Sequence, residues 1–231
     1  MTISIIIPTL NEAENIGRLI AHLKVHATND LLEIIVVDGK SADNTEGVAR
    51  RAGATVLTSD IRCRAVQMNA GASRATGDVL YFVHADCFPP PTYCSDIEAF
   101  IQKGYAMGCY RYRFDSPKLM LKINAFFTQF KPLWCRGGDE TLYVKRAVFE
   151  ELNQFDAYYC IMEEYDFIKR ARDKYALAIM PKYVTVSARK YDTNSWWRVQ
   201  KANLTVFRMF KKGVEPNILA KTYKDMLSYR Y

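Results

Sequence analysis

The chain has 231 residues, with 32 Lys and Arg against 25 Asp and Glu, a net charge of +7, and 49% hydrophobic and 25% charged residues. Such a chain can bury a substantial core, which suits one α/β domain (residues 1–231) and excludes an intrinsically disordered protein. The basic balance favours anionic partners such as nucleotides, phosphates, nucleic acid or an acidic membrane surface, without choosing among them.

Ile3–Ile7 reads as a buried strand, and Asn11 with Glu14 as the cap of a helix carrying Ile16, Leu19, Ile20 and Leu23 on one face. Glu33–Val37 is a second, β-branched strand ending at Asp38-Gly39. Asp43 and Glu46 look like the cap of a second helix, whose buried face is Thr45, Val48, Ala49 and Ala52. Ala54–Leu57 reads as a third strand, Ala65, Met68, Asn69 and Ala72 mark a third helix, and Val79–Val83 is a fourth strand. Strands separated by helices of this length imply right-handed crossovers and a mainly parallel sheet, which binds ligands at the carboxyl ends of its strands.

After Pro89-Pro90-Pro91 the pattern changes. Gly108–Phe114 alternates aromatic and basic residues, as a strand with one polar face does. Leu119, Ile123, Phe126, Phe127 and Phe130 form a helical stripe expected to pack on the sheet. Thr141–Lys145 reads as a strand, Glu164–Arg172 as a helix, and Asn194–Lys212 as a longer helix with a basic face. The change divides the domain into a first half, residues 1–105, and a second half, residues 106–231, which carries the C-terminal helices.

The six cysteines, Cys63, Cys87, Cys94, Cys109, Cys135 and Cys160, form no C-x-x-C pair and no zinc spacing with His22, His26 or His84. Reduced thiols in a cytoplasmic protein are expected. The apolar run before Pro8 is a strand and not a signal peptide, and no stretch approaches the ~20 apolar residues of a spanning helix.

Three acids, Glu12, Asp38 and Asp86, follow strands. Each alone reads as a cap or turn residue. Together, at one sheet edge, they suit a ribose, a base edge or a divalent metal, and Asp86 offers a hard oxygen to Mg²⁺ or Mn²⁺. His84 reads equally as a second metal ligand or as a buried histidine satisfied by backbone. Arg62, Arg64, Gln67 and Asn69 open the third helix, where basic groups suit a phosphate or only a solvated turn. Glu163, Glu164 and Asp166 lie on an opening helical turn, which favours acids anyway, and one of them can serve as a general base. Gly137-Gly138-Asp139-Glu140 permits close approach of a ligand or is a tight turn. The absence of G-x-G-x-x-G, of a P-loop and of G-x-S-x-G argues against a nicotinamide dehydrogenase, a P-loop NTPase and an α/β-hydrolase.

The stretches Ile5-Ile6-Ile7-Pro8-Thr9-Leu10-Asn11-Glu12, Val36-Val37-Asp38-Gly39-Lys40-Ser41-Ala42-Asp43-Asn44-Thr45 and His84-Ala85-Asp86 resemble the nucleotide-binding signatures of family 2 glycosyltransferases, which have the GT-A fold. Arg64-Ala65-Val66-Gln67-Met68-Asn69-Ala70-Gly71-Ala72 resembles a small bacterial subgroup of that family. Met162-Glu163-Glu164 with Asp166-Phe167 resembles its acidic acceptor-side motif. The resemblance implies an inverting transfer of sugar from a UDP- or GDP-linked donor to an acceptor hydroxyl, aided by Mg²⁺ or Mn²⁺. It assigns Pro8, Thr9, Asn11, Glu12, Asp38, Arg64, Gln67, Ala85 and Asp86 to the donor, and Asp86 with His84 to the metal. Gly138, Asp139, Glu140 and Glu163 fall to the acceptor, and Glu164 is the base. Two departures stand out: His84 replaces the first aspartate of an Asp-x-Asp motif, and Glu164 replaces an aspartate.

A nucleotidyltransferase is one alternative, although Pro8–Glu12 holds no glycine- and lysine-rich phosphate loop. A non-catalytic protein binding nucleotide sugars or lipid head groups is another. Nucleic acid is not an expected partner. Trp196 and Trp197, followed by Arg198, Lys201, Arg208, Lys211 and Lys212, read equally as a solvated helix or as a peripheral contact with the cytoplasmic membrane face and a lipid-linked acceptor.

Overall fold

The computed structural model describes residues 1–136 and 140–228. Its elements run β1 (Ile3–Thr9), α1 (Ala13–Val25), β2 (Leu31–Asp38), α2 (Thr45–Arg51), β3 (Thr55–Thr58), α3 (Arg64–Arg74), β4 (Val79–Phe82), β5 (Cys87–Phe88), α4 (Tyr93–Gln102), β6 (Met107–Phe114), α5 (Leu119–Phe127), β7 (Leu142–Lys145), α6 (Arg146–Glu151), α7 (Glu163–Ala171), β8 (Leu177–Val186), α8 (Lys190–Thr193), α9 (Trp196–Lys211) and α10 (Pro216–Met226). A 3₁₀ turn at Leu133–Cys135 lies between α5 and β7.

The strands form one sheet in the order β3-β2-β1-β4-β7-β6-β8-β5. The β3-β2-β1-β4 block is parallel, β7 runs antiparallel between β4 and β6, and β6 pairs in parallel with β8. Because β7 reverses, β1, β2, β4, β6 and β8 all deliver their carboxyl ends to one edge.

The alternation of strand side chains divides the core between two faces. Ile3, Ile5 and Ile7 pack with Ile16, Leu19 and Ile20 of α1 on one face. Ile6, Ile35 and Val37 pack with Met68 and Ala72 of α3 and Phe167 of α7 on the other. A Cβ at Gly71 would lie 2.5 Å from Ile6 Cγ2, so the absent side chain lets α3 close on the sheet.

Several sequence expectations need correction. Asn11 does not cap α1: it adopts a positive φ of 55°, and its Oδ1 accepts from the Ala42 N–H at 2.8 Å. Asp43 accepts from both the Ala13 N–H (3.1 Å) and the Thr45 N–H (3.1 Å), while Glu46 accepts from Thr58 Oγ1 instead of reaching back. The loops after β1 and β2 are thus laced together. Cys63 and Cys160 form a disulfide, against the expectation of reduced thiols, whereas Cys87, Cys94, Cys109 and Cys135 are free and buried. The phenylalanine stripe of α5 does not pack on the sheet: only Leu121 of that helix is buried, and Phe126 is 58% exposed. No helix among the described residues is long and apolar enough to cross a membrane.

Candidate active site at the carboxyl edge

The shared strand edge gathers two clusters of charge. The first joins the loops after β1, β4 and β8. Glu12 precedes α1, Asp86 follows β4, and Arg189 follows β8, which ends beside β5 through the Val186–Cys87 pairing. Arg189 donates to both carboxylate oxygens of Glu12, one at 3.0 Å, and its Nη2 lies 3.2 Å from Asp86 Oδ2. Two of the three acids foreseen at this edge therefore meet across a guanidinium that the sequence reading did not single out.

Asp38, the third acid, points elsewhere. It is buried and accepts from Thr9 Oγ1 at 2.9 Å, Ser41 Oγ at 2.6 Å and the Ser41 N–H at 2.7 Å. Gln67 is also committed inside the fold, its Nε2 donating to the Thr9 and Val37 carbonyls. Pro8 and Thr9 are buried at the end of β1, and Ala85 is buried beyond β4. Arg62 donates to the Gly39 and Lys40 carbonyls, and Asn69 bonds the backbone of Phe155 in both directions. These groups shape the edge from behind. Asp38→Ala removes three hydrogen bonds to a buried carboxylate, so it is expected to destabilise the fold by about 1–3 kcal/mol in denaturant unfolding. An unchanged unfolding midpoint would refute that supporting role.

The second cluster is a pair of buried carboxylates at the start of α7. Met162, the preceding residue, sits at φ 66°, a left-handed conformation costly for a non-glycine side chain, and turns the chain into the helix. Glu163 is 1% exposed and Glu164 5%. Each faces a basic group from another element: Glu163 Oε1 lies 2.8 Å from Arg64 Nε, and Glu164 Oε1 lies 3.3 Å from His84 Nε2. Burial pushes the Glu163 carboxyl above its ordinary range, Arg64 pulls it back, and the Glu164 charge adds to the rise. For His84, burial opposes the charged form, but contact with Glu164 and its negative charge outweigh this and raise the imidazole. The Cys63–Cys160 disulfide ties the residue before Arg64 to the loop three residues before Glu163. Glu163 Oε2 is buried without a hydrogen-bond partner among the described residues, so it remains able to accept from a bound hydroxyl.

Both carboxylates line a cavity of about 350 Å³ whose other walls include Arg64, Phe127, Trp134, Tyr165, Leu204 and Tyr223. Glu140, foreseen on the acceptor side, is buried 3.3 Å from Arg136 Nη1. Gly138 and Asp139 lie outside the described residues.

His84 directs its Nε2 at Glu164, so only its Nδ1 is left to meet a metal. Asp86 fits better: its side chain is partly exposed at the strand edge. Among the described residues no group of three or more His, Cys, Asp and Glu forms a metal cage. A single carboxylate suits a Mg²⁺-type ion held largely by substrate phosphates and water.

Comparison with known proteins places the chain in a family and its fold among solved structures. Residues 4–153 match the family described as Glycosyl transferase family 2. A glucosyl-3-phosphoglycerate synthase of Mycolicibacterium smegmatis is 32% identical over 97 residues, covering 38% of this chain and 32% of that protein. The chain thus aligns with about a third of that relative's length. Among solved structures, the Mycobacterium tuberculosis glucosyl-3-phosphoglycerate synthase with Mn²⁺, UDP and glucosyl-3-phosphoglycerate superposes with a TM-score of 0.63 at 18% identity, covering 92% of this chain and 80% of that one. A Pyrobaculum calidifontis mannosyltransferase with GDP-Man and Mn²⁺ superposes with a TM-score of 0.66 at 18% identity, covering 97% and 69%. The fold is that of the GT-A glycosyltransferases. The chain belongs to glycosyl transferase family 2.

Proposed function

We propose that this protein is an inverting glycosyltransferase that moves a sugar from a UDP- or GDP-linked donor to an acceptor hydroxyl with the aid of Mg²⁺ or Mn²⁺. The observation that carries the reading is the buried Glu163–Glu164 pair lining a cavity, with Glu164 against His84, two residues before the Asp86 that shares Arg189 with Glu12. Complexes of structural relatives with Mn²⁺ and UDP or GDP-Man support the donor class and the metal.

In this reading residues 1–105 hold the donor and residues 106–231 the acceptor. The loop Pro8–Glu12, with Asp38 behind it, surrounds the nucleoside. Asp86 would hold the metal, which would supply positive charge for the diphosphate. Arg64 and Arg189 add fixed positive charge where the leaving group develops its own. Glu164 takes the proton of the acceptor hydroxyl, whose oxygen attacks the anomeric carbon opposite the departing diphosphate. One bond forms as the other breaks, and the configuration inverts. His84 holds the Glu164 carboxylate in place, while Glu163 orients Arg64 and accepts from the acceptor.

Isothermal titration with UDP, with and without Mn²⁺, followed by a panel of nucleotide sugars read by released nucleoside diphosphate, tests this. Metal-dependent binding and acceptor-stimulated release are expected. Binding without turnover of any donor favours a non-catalytic carrier, and no binding of UDP or GDP overturns the reading.

A further inference from the structure

The cavity that ends at Glu163 and Glu164 opens beside an unusual surface. Phe127 and Trp134 line it and also form its outer lip, where they join Phe126 and Phe130 in a ring cluster with centroids 5.5–6.2 Å apart. Trp134 is 60% exposed. An apolar cluster of this kind normally turns inward, and here Phe127 and Trp134 belong both to the cavity wall and to the exposed cluster, beside the polar Asn124, Gln200 and Asn203 that also line the cavity.

The neighbouring helix repeats the pattern. Trp197, Lys201, Leu204, Arg208 and Lys211 recur at helical spacing along α9 and are all exposed, and Leu204 also lines the cavity. The Trp196 indole N–H donates to Asn124 Oδ1 at 3.2 Å, fixing the start of α9 against α5. Both segments are one-signed. No Asp or Glu occurs from Ser116 to Arg136 or from Thr193 to Val214, while Lys118, Lys122 and Lys131 accompany α5, and Arg198, Lys201, Arg208, Lys211 and Lys212 accompany α9.

We propose that the α5–α9 face docks on an anionic bilayer and that the cavity takes from it an acceptor with a lipid body and a terminal hydroxyl. This rests on the glycosyl-transfer reading and names its acceptor class. Aromatic side chains enter the head-group region, and lysines and arginines meet the lipid charges. The acceptor's apolar body lies against Phe127, Trp134, Leu204 and Tyr223, and its hydroxyl reaches the carboxylates. A freely soluble polar acceptor would leave those apolar walls wet.

Co-sedimentation with vesicles of phosphatidylcholine plus phosphatidylglycerol, against phosphatidylcholine alone, tests the surface. Binding is expected only to the anionic vesicles and should weaken as salt rises. Lys201→Glu with Arg208→Glu reverses two exposed charges and should weaken binding about tenfold or more. Phe126→Ser with Trp197→Ser should weaken it as well, and all variants should keep wild-type UDP titration and melting temperature. Equal binding to neutral vesicles, or variants that bind as wild type does, would overturn the docking face. In a turnover assay a long-chain or isoprenoid alcohol in anionic vesicles should stimulate nucleoside diphosphate release. Equal stimulation by a short soluble alcohol without vesicles would overturn the acceptor class. Failure of UDP binding in the wild type would instead strike the glycosyl-transfer reading, leaving the vesicle result to judge the surface by itself.

Discussion

Glu164→Gln is expected to lower turnover by roughly a hundredfold or more while leaving donor affinity near wild type. Glutamine preserves size and hydrogen bonding but cannot take a proton, so the loss reports proton transfer rather than packing. The carboxylate has the placement this role needs: it is buried, lines the cavity and lies 3.3 Å from His84. Glu163→Gln provides the contrast. Its ion pair with Arg64, at 2.8 Å, makes it a positioning group, so its loss should disturb donor binding as well as turnover. The two are separated by steady-state release of nucleoside diphosphate together with titration of free UDP. If Glu163→Gln shows the large loss of turnover with intact UDP binding and Glu164→Gln does not, the two roles exchange.

Asp86→Ala should abolish the Mn²⁺-dependent component of UDP binding while melting close to the parent temperature. The small stability effect follows from exposure: the Asp86 contact with Arg189 is partly open to water, and such ion pairs contribute little. Arg189 also keeps Glu12 as a partner in the variant, so no buried cation is stranded. The large binding effect is expected because no group of three or more His, Cys, Asp and Glu among the described residues is there to hold the ion without Asp86. Titration of UDP with and without Mn²⁺ against both proteins, alongside thermal unfolding, checks it. Metal-dependent binding that survives in Asp86→Ala would remove the assignment.

How far the fold can be read from the chain depends on local signals. Ile3–Ile7 and Leu80–Val83 announce buried strands because uninterrupted apolar runs have few other uses, and the helices between them fix a parallel block. β8 carries no such signal, because Pro181, Lys182 and Tyr183 interrupt it with a proline and exposed side chains, next to the register shift at Tyr110/Arg111. Arg189 carries none either, since its importance comes only from β8 ending at the shared edge. Helical spacing likewise identifies an apolar stripe but not what covers it, and the phenylalanines of α5 face outward although their spacing alone predicts packing on the sheet. Cys63 and Cys160 are 97 residues apart, and no spacing rule links cysteines at that distance. The acidic edge was legible because each strand end could be placed. That Asp38 turns inward while Glu12 and Asp86 share a guanidinium depends on side-chain partners that appear only once the chain is folded.

The Cys63–Cys160 bond has a topological consequence. It makes residues 63–160 a closed covalent ring with two tails. The ring holds β4, β6 and β7, the centre of the sheet, while β1 and β2 lie on one tail and α7 on the other. Closing a ring of this size removes conformational freedom from the denatured chain, about 4–5 kcal/mol on a chain-entropy account. The proposed base stands just outside the ring, on the first turns of the second tail, and Arg64 just inside it. Even when the tails loosen from the sheet, Arg64 and the carboxylate pair stay tethered within a few residues of one another. Reduction would leave that proximity to packing alone, so the thiol state of the surroundings sets whether the two sides of the site can separate before the whole chain unfolds.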